Sequence, residues 1–239
     1  MTGGTVGALR ALVFDKDGTL FDFHATWSGW TRSLILSETR GDHARAALLA
    51  EALGFALEPG RFSPDSPVIA STAAEIAALV APHLPAADRP GLLERMNALA
   101  AEAPQVPAAP LAPLLAEFRQ RGLRLGVATN DSEAPARAHL GAAGVTAAFD
   151  FVAGADSGHG AKPGPGQLLA FARQVGLPPS ACAMVGDSLH DLRAARAAGM
   201  TAIAVLTGIA GPDELAPEAD AVLDSIAALP GWLEARNGA

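Results

Sequence analysis

Cysteine is almost missing from this chain: among 239 residues there is one, Cys182. A lone thiol cannot close an intramolecular disulfide, and its place in an apolar run reads as a small core side chain rather than a nucleophile. Lysine is nearly as scarce. Lys16 and Lys162 are the two lysines, and the other fifteen of the seventeen Lys and Arg residues are arginines. Net charge is −8, so the basic excess that nucleic acid or an anionic membrane surface needs is lacking. No apolar stretch reaches the ~18 residues of a spanning helix without Pro or charge. The N-terminus has no basic region followed by a long apolar run, so no secretory signal is visible. The expectation is a cytoplasmic protein, monomer or homodimer, with no nucleic-acid or membrane partner. A small anionic ligand stays open, because it answers to local rather than net charge.

Half of the residues are hydrophobic, a globular composition and not a disordered one. The length suits one large domain or a domain with a sizeable insertion. Five short apolar runs read as buried strands, at 9–14, 123–128, 151–153, 181–185 and 202–206. Helical patterns at 133–143, 165–175 and 189–198 alternate with the later four, which predicts a parallel sheet with right-handed crossovers. The fold class is therefore α/β, a doubly wound, Rossmann-like core with five parallel strands. Between the first two strands the spacing is helical throughout, at 27–36, 43–53, 67–79 and 92–103, with no strand signal. That is too long for one crossover. It predicts an all-helical cap domain, residues 22–105, inserted into a core made of 1–21 and 106–239. Pro104, Pro107, Pro110 and Pro113 mark the return to the core as a stiff linker, and a helix follows at 111–121.

The first strand runs into Asp15-Lys16-Asp17-Gly18-Thr19. Open α/β sheets carry their reacting groups at the carboxyl ends of strands. Two neighbouring carboxylates repel, so a cation is their natural occupant, and oxygen ligands suit Mg²⁺. A carboxylate can also be the nucleophile that takes up a phosphoryl group. In isolation Asp15 and Asp17 could equally be a strand-ending turn. The second predicted strand ends in Thr129-Asn130, a hydroxyl and an amide suited to phosphate oxygens; these residues or Asp131 could instead cap the next helix. Lys162 lies in a Gly- and Pro-rich turn ahead of a helix, where an ammonium can pair with a carboxylate and a phosphoryl oxygen together. Its neighbour His159 reads as an ordinary loop residue. The fourth strand ends in Gly186-Asp187-Ser188, with Asp191 four residues beyond Asp187, and here too Asp187 or Ser188 could be a helix cap. In a parallel sheet all four groups share one edge. Together they make a metal site, a nucleophile and a phosphate clamp, which is what phosphoryl transfer requires.

In these four motifs the chain resembles the haloacid dehalogenase superfamily of phosphohydrolases, and within it the phosphoglycolate phosphatase-like enzymes. The resemblance spans the core, and the helical insert falls where many relatives carry a cap. It implies that Asp15 attacks phosphorus and that Asp17 protonates the leaving oxygen and then activates water. It implies Mg²⁺ held by Asp15, the backbone carbonyl of Asp17 and Asp187, with Asp191 as a further ligand or a support to one. Thr129 and Lys162 would hold the phosphoryl oxygens, helped by Asn130 and by the tight turn at Gly18. The substrate would be a small phosphorylated metabolite, phosphoglycolate being one candidate. Dehalogenases of this fold generally lack the second carboxylate, so Asp17 argues against them. Phosphonoacetaldehyde hydrolases need a cap lysine, and residues 22–105 contain none. A sugar phosphomutase of the β-phosphoglucomutase type shares the core residues and is the alternative, although such enzymes typically carry a cap histidine where this chain has Trp27. Substrate choice would lie in the cap, with His24, Trp27, Trp30, Arg40 and Arg61 as candidates.

Overall fold

The computed structural model describes residues 8–237. Strand β1 (Ala11–Phe14) leads into the insert, which contains α1 (Phe23–Thr39), α2 (His43–Ala52), a two-residue hairpin of β2 (Phe55–Ala56) and β3 (Arg61–Phe62), α3 (Ala73–Val80) and α4 (Leu92–Ala101). The chain then returns through α5 (Leu111–Gln120), β4 (Arg124–Ala128), α6 (Glu133–Ala142), β5 (Phe151–Ala153) and α7 (Gly166–Val175). It ends with β6 (Cys182–Gly186), α8 (Leu189–Ala198), β7 (Thr201–Val205), the short α9 (Pro212–Leu215), β8 (Ala221–Leu223) and α10 (Leu229–Asn237). No helix among the described residues is long and apolar enough to cross a membrane.

The main sheet has the order β5-β4-β1-β6-β7-β8, and every pairing in it is parallel. Succession along the chain therefore reads 3-2-1-4-5-6 across the sheet, the doubly wound arrangement. The winding reverses between β1 and β6, and the crevice beyond that point is where such sheets bind ligands. Phe14 lies opposite Val127 on one side and Val185 on the other, so Asp15, Thr129 and Asp187 emerge at one edge.

Alternation along β1 builds the core on both faces. Leu12 and Phe14 join a cluster with Leu115, Phe118, Val127 and Leu229, and the Phe14 and Phe118 rings stack with centroids 6.1 Å apart. Ala11 and Val13 face Phe171, Met184 and Leu192. Burial of each such large side chain is worth about 1.5–3 kcal/mol. The insert has its own core of Trp27, Trp30, Leu34, Leu49, Val80 and Met96. Its two connections run side by side, Asp22 N–H donating to Val106 O at 2.8 Å and Ala108 N–H to Leu20 O at 2.9 Å.

Three features differ from the sequence expectation. The sheet has a sixth strand, β8, whose three half-buried residues lie between Asp220 and Asp224. The insert is not entirely helical: Pro59-Gly60 turns the chain, with Gly60 at φ +85°, and closes the β2–β3 hairpin. The helix expected at 67–79 is split into a short 3₁₀ turn, Pro67–Ile69, and α3. Thr72 starts α3 afresh by capping Glu75 N–H, while Glu75 accepts from Thr72 N–H at 2.7 Å.

Candidate active site

The carboxyl ends of β1 and β6 bring Asp15, Asp187 and Asp191 together, one oxygen of each lying within 4.8 Å of the others. Lys162 arrives from the turn before α7. Its ammonium donates to Asp15 Oδ1 at 2.7 Å and to Asp191 Oδ1 at 2.6 Å, with almost no exposure. Asp191 keeps its other oxygen for the first turn of α8, where it accepts from Ser188 N–H and Oγ. Capping of α8 thus falls to Ser188, and Asp187 is left free of that task. Asp187 instead accepts a hydrogen bond from Thr19 Oγ1 at 3.0 Å.

Three carboxylates around one ammonium are short of positive charge. Burial pushes the Asp15 carboxyl up to about 7, with Lys162 pulling it down and Asp191 and Asp17 adding to the rise. Burial, then Asp15 and Asp191, raise Asp187 well above the usual carboxylate range. On Lys162 burial acts downward, but Asp15 and Asp191 outweigh it and raise the ammonium. A site of clustered carboxylate oxygens that carries its negative charge so reluctantly fits a hard divalent cation such as Mg²⁺.

Asp17 stands apart from this trio, on the other arm of the motif. Its two oxygens lie 2.7 Å from the Lys16 ammonium. Lys16 is fully buried and also meets Asp131 at 3.3 Å, His139 Nδ1 at 3.0 Å and the face of Trp27 at 5.3 Å. Burial acts downward on this lysine, whereas Asp17 and Asp131 raise it. Burial lifts Asp131 to about 6 against the pull of Lys16. The sequence assigns no role to Lys16 or His139 and to Asp131 only that of a possible helix cap, since their meeting depends on β4 and α6 lying beside β1.

Thr129 is buried at the end of β4, and its hydroxyl accepts from Asp131 N–H at 3.1 Å. Helix α6 starts at Ser132, so Thr129 and Asn130 are not its caps. Asn130 braces the site: its amide nitrogen donates to Lys162 O and to Ala70 O, each at 2.9 Å, and its oxygen accepts from Lys162 N–H at 2.9 Å. Its side chain is thereby committed to backbone partners, leaving its main-chain amide for a ligand. Gly18 has φ +83°, and a Cβ there would collide with the Asp187 carboxylate.

Asp15, Asp17, Thr129, Asn130, Asp131 and Lys162 form the core side of a cavity between core and insert. The insert supplies the opposite wall, with Phe23, Trp27, Trp30, Ile69, Ile76 and Met96. Of the cap candidates, Trp27 and Trp30 line this cavity. Arg40 is turned outward onto Asp88, Arg61 is exposed on β3, and His24 lies against Phe62. His190, which sequence reading passed over, lines the cavity from the start of α8.

A family model for haloacid dehalogenase-like hydrolases matches residues 9–199. A phosphoglycolate phosphatase of Rhodospirillum rubrum is 31% identical over 94% of this chain and 90% of its own. The “Probable phosphatase IndB” of Dickeya dadantii is 41% identical, over 49% of this chain and 51% of its own. In overall fold the chain is similar to a protein described as a “predicted phosphoglycolate phosphatase” from Haemophilus somnus. That structure matches with a TM-score of 0.74 at 19% identity, over 94% of this chain and 97% of the other.

Proposed function

The chain belongs to the haloacid dehalogenase-like hydrolase family, as a phosphatase of its phosphoglycolate phosphatase-like group, and on that premise we propose that it is a Mg²⁺-dependent phosphatase working through an aspartyl-phosphate on Asp15. The observation that carries the reading is the convergence of Asp15, Asp187, Asp191 and Lys162 at the β1–β6 crevice. Asp15, Asp187 and Asp191, with the Asp17 carbonyl, would hold the cation. When bound, Mg²⁺ supplies positive charge that lowers the cost of bringing a phosphate dianion against these carboxylates.

Asp15 attacks phosphorus through its carboxylate, and the ester P–O bond breaks as the new one forms. Asp17 gives its proton to the departing alkoxide, then takes one from the water that hydrolyses the acyl phosphate. Asp17 must therefore be a protonated carboxyl when the ester is cleaved and a carboxylate when water attacks, and the Lys16 ammonium orients its side chain in both forms. Lys162 stabilises charge on the transferred phosphoryl group, with the Thr129 hydroxyl and the Asn130 main-chain amide beside it. The substrate in this reading is a small phosphorylated metabolite, met in the cytoplasm by a monomer or homodimer whose core is 1–21 and 106–239 and whose cap is 22–105. Two measurements test it. Asp15→Asn should abolish phosphate release while circular dichroism stays unchanged, and EDTA should stop turnover until Mg²⁺ is restored. Activity surviving either treatment contradicts the mechanism.

A further inference from the structure

We infer that the substrate's alcohol portion is uncharged and largely apolar, with at most a hydroxyl or carbonyl, rather than a carboxylate-bearing one; this rests on the phosphatase reading above. The insert wall of the cavity is aromatic and aliphatic, and it is continuous with the insert's own hydrophobic core. Its polar contributions include Ser71 and Asn97, both neutral. No arginine lines the cavity among the described residues. The arginines of the insert lie elsewhere: Arg95 is paired with Glu38 at 2.7 Å, Arg40 with Asp88 at 2.8 Å, Arg32 with Glu58 at 3.2 Å and Arg45 with Asp42 at 3.5 Å, Arg89 donates to Leu84 O at 3.1 Å, and Arg61 is exposed on β3.

Backbone amides do not supply the missing charge. Ala70, Ser71 and Ala73 bring the start of α3 to the cavity. That helix end is already served by its own carboxylate, Glu75, through the capping box with Thr72. On the core side, Lys162 is held between Asp15 and Asp191 and is committed to the phosphoryl group. His190 is the other lining side chain able to carry positive charge, and it stands on the core side. Five buried or nearly buried carboxylates (Asp15, Asp17, Asp131, Asp187 and Asp191) already outnumber Lys16 and Lys162 here. A carboxylate on the leaving group would be buried against apolar walls, next to excess negative charge and without a partner, which is strongly unfavourable.

The test compares kcat/KM, by phosphate release with saturating Mg²⁺, within pairs matched in size and leaving-group chemistry. The pairs are isobutyl phosphate against phosphoglycolate, and 4-isopropylphenyl phosphate against 4-carboxyphenyl phosphate. The neutral member should be favoured by about 100-fold or more, the scale on which an unpaired buried group is rejected. Ile69→Arg, at a half-buried wall position, should narrow that ratio by at least about tenfold, whereas Ile69→Gln should not. Equal or better turnover of the carboxylated member overturns the inference and leaves the phosphatase reading standing. Lack of turnover of all four esters by the Mg²⁺-loaded protein overturns both.

Discussion

Three glycines set the position of two carboxylates. A Cβ at Gly18 or at Gly208 would run into the carboxylate of Asp187, and one at Gly186 into that of Asp191. Asp187 is thus pinched between two backbone segments that come from opposite ends of the sequence. Thr19 donates to it from one side, and Thr207 ties the two segments together by donating to Gly18 O at 2.6 Å. Gly208 is the sharper probe, because Gly18 also needs its positive φ. Gly208→Ala should displace the Asp187 carboxylate and spare the fold. The Mg²⁺ concentration for half-maximal activity should rise by about tenfold or more, corresponding to at least about 1.4 kcal/mol lost at the metal. A Mg²⁺ titration of activity reads this directly, and an unchanged midpoint would show that Asp187 does not hold the cation.

At the scale of elements, the site is a set of strand-ending loops tied to one another, and Asn130 is the knot. It joins the loop after β4 to the turn carrying Lys162 and to the insert at Ala70. Asn130→Ala removes three hydrogen bonds and leaves backbone groups unpaired, so urea unfolding should show a loss of about 2 kcal/mol. Lys162 loses its brace at the same time, and kcat should fall by about tenfold or more while the protein remains folded. Wild-type kcat in a destabilised variant would mean that Lys162 is positioned by its carboxylate partners alone. The motifs at these loops were legible in the sequence because each follows a fully buried run: β1, β4 and β6 have buried apolar residues directly before Asp15, Thr129 and Asp187. β8 and the β2–β3 hairpin were not legible: β8 is only half-buried between two aspartates, and the hairpin strands have two residues each, mostly exposed or half-buried. The braces were hidden for another reason. Lys16 and His139 are 123 positions apart, and the Asn130 side chain, expected at phosphate or as a helix cap, turns instead to backbone partners 32 and 60 positions away.

For the molecule as a whole, the question is what couples the insert to the core, and His139 is the most informative residue at that junction. It lies on α6 in the core, which packs against α4 of the insert. Its Nε2 is 2.7 Å from Ala100 O, and a carbonyl can only accept, so Nε2 carries the hydrogen. Nδ1 then accepts from the Lys16 ammonium at 3.0 Å. That arrangement requires a neutral ring. Burial first, and then the charge of Lys16, lower the His139 pKa to about 4. In the unfolded chain the same ring titrates at its ordinary 6.5. Between these values the unfolded state binds a proton that the native state refuses, so stability is lost as pH falls through the window. Asp131, raised by burial to about 6, works with the opposite sign: its protonated form favours the native state, and that contribution fades as pH rises. Comparison with a variant isolates the histidine. In EDTA, His139→Gln should be less stable than wild type at pH 7, and the gap should shrink by about 2 kcal/mol at pH 5, because the variant has no ring to protonate. Urea unfolding at the two pH values measures the gap. If it stays constant, the His139 bridge between insert and core does not depend on a neutral ring.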